Sequence, residues 1–287
     1  MTIRSFAKIN LGLRVLGRRA DGFHDISTIF HRVELHDTLH LETTDGKVTL
    51  ECNRDDIPVD DGNLCVRAAR LLLAQQRGRG VHIVLQKNIP AGAGLGGGSS
   101  NAAAVLRFLP KLLGQHIPDG ELLEMAALLG SDVPFFLQDG SAAARGRGER
   151  LTYFVWNCPW WIVLVNPGIH VSTAWAYGAL RLEAQPEDPD LQALLERAVR
   201  DPEALATLLR NDFEAPVMEA HPGIREVKEA MLRAGAVGAM MSGSGSSVFG
   251  LFDNEAAART CAAGFPPGQL LGVTPPDFSP VLLQRNT

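Results

Sequence analysis

Runs of apolar and β-branched residues, bounded by Gly or Asp, predict strands over 6–16, 33–43 and 47–52. Asn63 then opens a stretch with Ala and Leu on one face, which predicts a capped helix over 64–75. A short strand over 81–86 leads into a glycine-rich segment. The alanines that follow Ser99 predict a helix that stops or bends near Pro110. Another helix is expected over 121–129 and extended chain over 140–154. Near Asn157 and Pro159 the pattern restarts: 161–165 reads as a buried strand closed by Asn166, Pro167 and Gly168. A polar stretch over 183–190 precedes expected helices over 191–200, 202–209 and 224–233. Residues 236–241 enter a second glycine loop, and 248–252 is a final strand. This order predicts two units of mixed helix and strand, 1–157 and 158–287, with no internal repeat.

The segment 89–105 is the most informative. It holds five glycines, Gly92, Gly94, Gly96, Gly97 and Gly98, followed by Ser99, Ser100, Asn101 and three alanines. Glycines reach backbone angles closed to other residues and let a ligand approach the main chain. A glycine loop feeding a helix start aims N–H groups at one point, where the helix dipole also favours an anion. The segment reads as a phosphate cradle; the alternative is a flexible surface loop without a ligand. Gly92, Gly94 and Gly97 satisfy G-x-G-x-x-G, but the following segment is helical rather than a strand with an acidic residue, so a dinucleotide-binding context fails. A Walker loop is excluded too, because Gly98 stands where that motif needs lysine.

Composition narrows the class. A chain of 287 residues with 46% hydrophobic and 21% charged residues is long enough for a substantial core and more than one domain. Its formal net charge of −5 advertises no nucleic-acid surface. Arg145, Arg147 and Arg150 form a local basic cluster that reads as a glycine-spaced solvent turn. Arg4, Lys8 and Arg14 interrupt any signal-like apolar run, and the apolar stretches are too short to span a bilayer, so a cytoplasmic protein without a membrane partner is expected. Cys52, Cys65, Cys158 and Cys261 form no C-x-x-C pair, which fits a reducing compartment rather than a disulfide framework or a structural metal.

The glycine segment 90–101 resembles the phosphate loop of the GHMP kinases, which include galactokinase and the homoserine, mevalonate and phosphomevalonate kinases. Ala7 to Asn10 resembles the first motif of that family and Met241 to Gly250 its third. Within the family, Arg19 to His24 and Gly130 to Phe136 resemble the branch acting on a polyol that carries a cytidine diphosphate group, in the non-mevalonate route to isoprenoid precursors. The five matches run in order from Ala7 to Gly250. The resemblance implies an α+β, two-domain GHMP kinase fold, with an N-terminal domain like ribosomal S5 domain 2 and a ferredoxin-like C-terminal domain. It also implies ATP and Mg²⁺, and a small-molecule substrate bearing cytidine diphosphate. Another small-alcohol kinase of the family and a non-catalytic nucleotide-binding regulator are the alternatives.

By the same resemblance, Asp132 takes the proton of the attacking hydroxyl and Lys8 stands beside it. Read from the residues alone, Asp132 is equally a helix N-cap and Lys8 an ordinary strand-edge residue. The ATP phosphates fall to Pro90, Ala91, Gly92, Ala93, Gly94, Leu95, Gly96, Gly97, Gly98, Ser99 and Ser100. Ser99 or Ser100 is the hydroxyl expected on Mg²⁺, unless the pair simply caps the helix. Asn63 and Lys87 are expected near adenine, against the plainer readings of a cap and a solvated strand end. Asn10, Phe23, His24, Thr173 and Tyr177 are expected at the second substrate, with Phe23 and Tyr177 stacking on the base, unless both are core residues. Phe23 stands where the family often has Tyr, so one phenol hydrogen bond is absent. The serine-rich turn 242–247 is expected to close on the reacting phosphate.

Overall fold

In the computed structural model, which describes residues 1–74, 76, 78–182 and 188–283, the first strand is longer than its apolar run: β1 spans Thr2–Arg18. It pairs antiparallel with β2 (His24–Asp45), whose 22 residues include the segment 24–32 that the hydrophobic pattern alone does not mark. The far edge of β2 is shared by β4 (Arg79–Gln86) and β5 (Ser141–Gly146). β3 (Val48–Cys52) continues the sheet beside β4, and β6 (Arg150–Phe154) beside β5, so the extended chain expected over 140–154 is a hairpin. α1 (Leu64–Leu73), α2 (Gly97–Leu112) and α3 (Asp119–Leu129) pack on one face of this sheet.

The chain leaves the first sheet at Phe154 and enters a second at Trp161. That sheet is antiparallel, in the order β10 (Leu270–Thr274), β7 (Trp161–Val165), β9 (Val248–Phe252), β8 (Gly238–Met241). The expected helices are α5 (Leu191–Ala198), α6 (Pro202–Leu208) and α8 (Pro222–Arg233). Three short helices escape the hydrophobic pattern, α4 (Thr173–Ala179), α7 (Glu214–Ala220) and α9 (Glu255–Ala263), as does β10. They have too few turns to establish a period, and tertiary packing fixes them. The expected end of the first helix at residue 75 and most of the polar stretch 183–190 lie outside the described residues.

One seam positions everything that follows. Every residue of β1 from Ser5 to Val15 is buried, because both faces of the strand are covered. With the two-residue period of a strand, Ala7, Ile9 and Leu11 face one way, into a core shared with Ile162, Leu164, Phe249 and Leu251 of the second sheet. Lys8 and Asn10 face the other. At about 1.5–3 kcal/mol for each fully buried large side chain, this shared core joins the two units firmly rather than leaving a surface that parts cheaply.

Candidate active site

α2 begins three residues earlier than a cap at Ser99 suggests. Gly96, at φ +68°, is its N-cap, and Ser99 and Ser100 lie in the first turn with no cap bond. The first helical bond is Ser100 N to Gly96 O at 2.8 Å, so the N–H groups of Gly97, Gly98 and Ser99 have no acceptor within the helix. Pro110 falls inside the last turn, so the helix runs two residues past it. The preceding loop is fastened on its inner side: Lys8 N donates to Leu95 O, Ser247 N donates to Ala93 O, and Ala93 and Leu95 are buried. A Cβ on Gly94 would lie 2.0 Å from Ser242 O, so only glycine lets the two glycine loops touch there. Pro90, Ala91, Gly92 and Gly98 form the more open side of the loop.

The serine pair divides. Ser100 is buried and accepts from Ser5 Oγ at 2.7 Å, whereas Ser99 is half-buried. Only Ser99 therefore keeps a hydroxyl for an outer ligand. Among the described residues no three His, Cys, Asp or Glu side chains cluster as a metal cage. Mg²⁺ needs none when phosphate oxygens and water complete its shell, so the half-buried Ser99 hydroxyl at the α2 terminus suits it.

Lys8 occupies no solvated edge. Its side chain is 4% exposed, its Nζ donates to Asn10 Oδ1 at 2.7 Å and Gly94 O at 3.2 Å, and it lies 3.5 Å from Asp132 Oδ2. Burial lowers the Lys8 pKa from its ordinary value and the Asp132 carboxylate opposes that shift. The Phe30 ring lies 4.9 Å beneath the ammonium. Asp132 sits in a turn ahead of the 3-10 helix Pro134–Leu137 and does not cap it; its side chain is 32% exposed. The N-cap reading of Asp132 and the edge reading of Lys8 thus both give way to an ion pair with one open side.

That open side is a cavity of about 840 Å³ lined by Arg18, Phe23, His24, Asp132, Thr173 and Tyr177, with Arg147 beside them. Phe23 is 52% exposed, which rules out the core reading, and the Arg147 guanidinium lies 4.8 Å from its ring centre. His24 and Tyr177 stack at 4.6 Å and 18°, and Tyr177 meets Phe213 edge-on. Thr173 Oγ1 is 3.0 Å from Ser244 Oγ. A cavity of about 950 Å³ beyond Leu180 and Leu182 is larger but contains neither Asp132 nor this aromatic group. We therefore take the smaller one as the site, by chemistry rather than size.

Three expected site residues have their polar groups engaged within the chain. Asn10 is buried, with its amide shared between Lys8 and Thr28 Oγ1, so it holds Lys8 and does not line the cavity. Asn63 caps α1 by accepting from Cys65 N, and its Nδ2 donates to Pro58 O, which matches the plainer reading. Lys87 is neither open nor solvated, since its ammonium meets Asp37 Oδ2 at 2.5 Å. The serine turn 242–247 packs on the first glycine loop, through Ser242 Oγ to Gly94 O at 2.9 Å, with Ser242, Ser246 and Ser247 buried. Arg147 is the reverse case: it reads as a solvent turn in sequence, yet the β5–β6 hairpin brings it to the cavity.

Residues 63–140 match the model described as GHMP kinases N terminal domain, and residues 191–266 that described as GHMP kinases C terminal. The chain is 45% identical to the 4-diphosphocytidyl-2-C-methyl-D-erythritol kinase of Chlorobium phaeovibrioides, over 97% of each chain. It is 46% identical to the kinase of that name from a Geobacter species, over 90% of this chain and 91% of the other. A crystal structure of 4-(cytidine 5'-diphospho)-2C-methyl-D-erythritol kinase superposes with a TM-score of 0.78, at 40% identity, over 92% of this chain and 94% of that one.

Proposed function

The chain belongs to the GHMP kinase family, and from that premise we propose that it transfers the γ-phosphoryl group of ATP to the 2-hydroxyl of 4-diphosphocytidyl-2-C-methyl-D-erythritol. The observation that carries this is the Lys8–Asp132 pair at 3.5 Å, which stands between the glycine loop and the aromatic cavity. Phosphoryl transfer demands positioning and charge neutralisation more than covalent chemistry. The N–H groups of Gly97, Gly98 and Ser99, with the α2 dipole, receive the nucleotide phosphates. Ser99 would hold Mg²⁺ arriving with the nucleotide, and the ion would supply charge neutralisation at the phosphates. Asp132 accepts the proton of the attacking hydroxyl, and Lys8 holds that carboxylate in place and offsets charge as it develops.

The cavity supports the second substrate. Phe23 and the His24–Tyr177 pair offer flat faces to a nucleobase, and Arg18 and Arg147 offer cations to a diphosphate. A small alcohol needs neither feature. The same reading divides the chain into a nucleotide-binding and catalytic domain, 1–157, and a C-terminal domain, 158–287. The test is ADP release from Mg-ATP with the cytidyl substrate, compared with mevalonate, homoserine and galactose, and with Asp132→Asn in parallel. Turnover confined to the cytidyl substrate and lost in the variant is expected. Turnover of a small alcohol refutes the cavity assignment. Nucleotide binding without turnover of any of the four refutes catalysis.

A further inference from the structure

Asp37 is the most enclosed carboxylate beside the site and has no part in the chemistry above. It lies on β2 in line with Leu39 and Leu41, fully buried, and four donors meet it. Lys87 Nζ lies at 2.5 Å, Asn88 N at 2.7 Å and Ile89 N at 2.8 Å, all just before the glycine loop. Asn101 Nδ2 lies at 2.9 Å, just after it, in the second turn of α2. Asn101 also donates to Ser5 Oγ at 3.0 Å, and Ser5 donates to Ser100 Oγ. Both ends of the glycine loop are therefore tied to one side chain on β2 and its neighbour on β1.

Between those ties Gly92, Gly94 and Gly96 all have positive φ, conformations that free glycines hold only part of the time. Donors at the start of α2 serve an anion best when they are fixed before it arrives. Lys87 is adjacent to that start, since a Cβ on Gly97 would lie 2.8 Å from its Nζ. Its side chain is nonetheless only 4% exposed and its charge faces Asp37.

We propose that Asp37 is a positioning residue that clamps the two ends of the phosphate loop through Asn88, Ile89 and Asn101, with Lys87 as its counter-ion rather than a nucleotide contact. The proposal rests on the reading of this loop as the ATP phosphate site. It is tested by titrating Mg-ATP, well below the unfolding temperature, into the parent chain, Asp37→Asn, Asn101→Ala, the double variant and Lys87→Met. Thermal unfolding without nucleotide is recorded for each. The clamp requires Asp37→Asn to weaken Mg-ATP binding by about tenfold and Asn101→Ala by several-fold, with the two losses less than additive because they share one contact. It also requires an unchanged KM for the second substrate.

Variants that melt earlier yet bind Mg-ATP like the parent reduce Asp37 to a stability role and overturn the proposal. Weaker binding in Lys87→Met, with Asp37→Asn and Asn101→Ala unaffected, makes Lys87 a nucleotide contact and also overturns it. A parent chain that fails to bind Mg-ATP overturns both the clamp and the reading of the loop. Asn101→Ala strands no charge, so it decides the matter if Asp37→Asn fails to fold.

Discussion

Two lysine–aspartate pairs flank the same glycine loop and differ in almost everything but residue type. Lys87 and Asp37 are 2.5 Å apart, with side chains 4% and 0% exposed, and the carboxylate accepts three further hydrogen bonds. Lys8 and Asp132 are 3.5 Å apart, and a third of the aspartate side chain opens to a cavity. In the closed pair four donors meet the carboxylate, which leaves it nothing to exchange with a ligand. An open pair keeps carboxylate capacity in reserve, which a proton acceptor needs. Residue identity does not separate the two; enclosure does.

The largest effect expected is on the open pair. Asp132→Asn should lower kcat by about 10²–10⁴-fold, the range for removal of a general base. A variant that retains most of its turnover breaks the contrast. The closed pair should respond in the opposite currency: Lys87→Met leaves a buried carboxylate without its cation and should cost about 3–5 kcal/mol in urea unfolding. Parent-like stability in that variant would mean that the enclosure is not what distinguishes the pairs.

A buried titratable group with no counter-charge among the described residues sharpens the comparison. Burial, with Arg32 adding to it, pushes the His31 pKa down to about 4, while its Nδ1 stays 2.9 Å from Ser141 Oγ. With the folded pKa below the unfolded value, this contribution is complete above pH 6.5 and is lost as pH falls through about 4. A native pKa of about 4 against the ordinary 6.5 corresponds to about 3 kcal/mol. Unfolding midpoints from pH 7 to pH 4 should therefore fall less steeply in His31→Gln than in the parent; parallel curves would remove His31 as a source. The smallest effect belongs to the open side. Phe23→Ala should raise KM for the cytidyl substrate by about 2–10-fold, from the loss of about 0.5–1.5 kcal/mol of ring stacking, and leave KM for ATP unchanged. An equal rise in both would place Phe23 outside the base-binding face.

Much of this was legible in residue order. The glycine loop, the helix after it, the β7 strand and the cap at Asn63 all depend on local chemistry that neighbouring residues carry. A signal for Asp37 is legible as well: strand alternation sets it in line with Leu39 and Leu41, and an acid on an apolar face needs partners. Arg147 gave no such signal, because a basic residue between two glycines is an ordinary turn until the hairpin returns it to Phe23.

The sequence by itself determined the glycine loop with the helix after it, the residue types proposed for the reaction centre, and the family, since these rest on short-range backbone freedom and on motifs that survive without coordinates. Tertiary structure alone decided which aspartate is open and which lysine is spent, that Ser100 turns inward while Ser99 does not, and that Asn10 holds Lys8 instead of lining the cavity. The reason is physical. Burial and hydrogen-bond saturation are properties of what packs against a side chain, and apart from Lys8 and Asn10 the packing partners here lie from tens of residues to more than a hundred residues away.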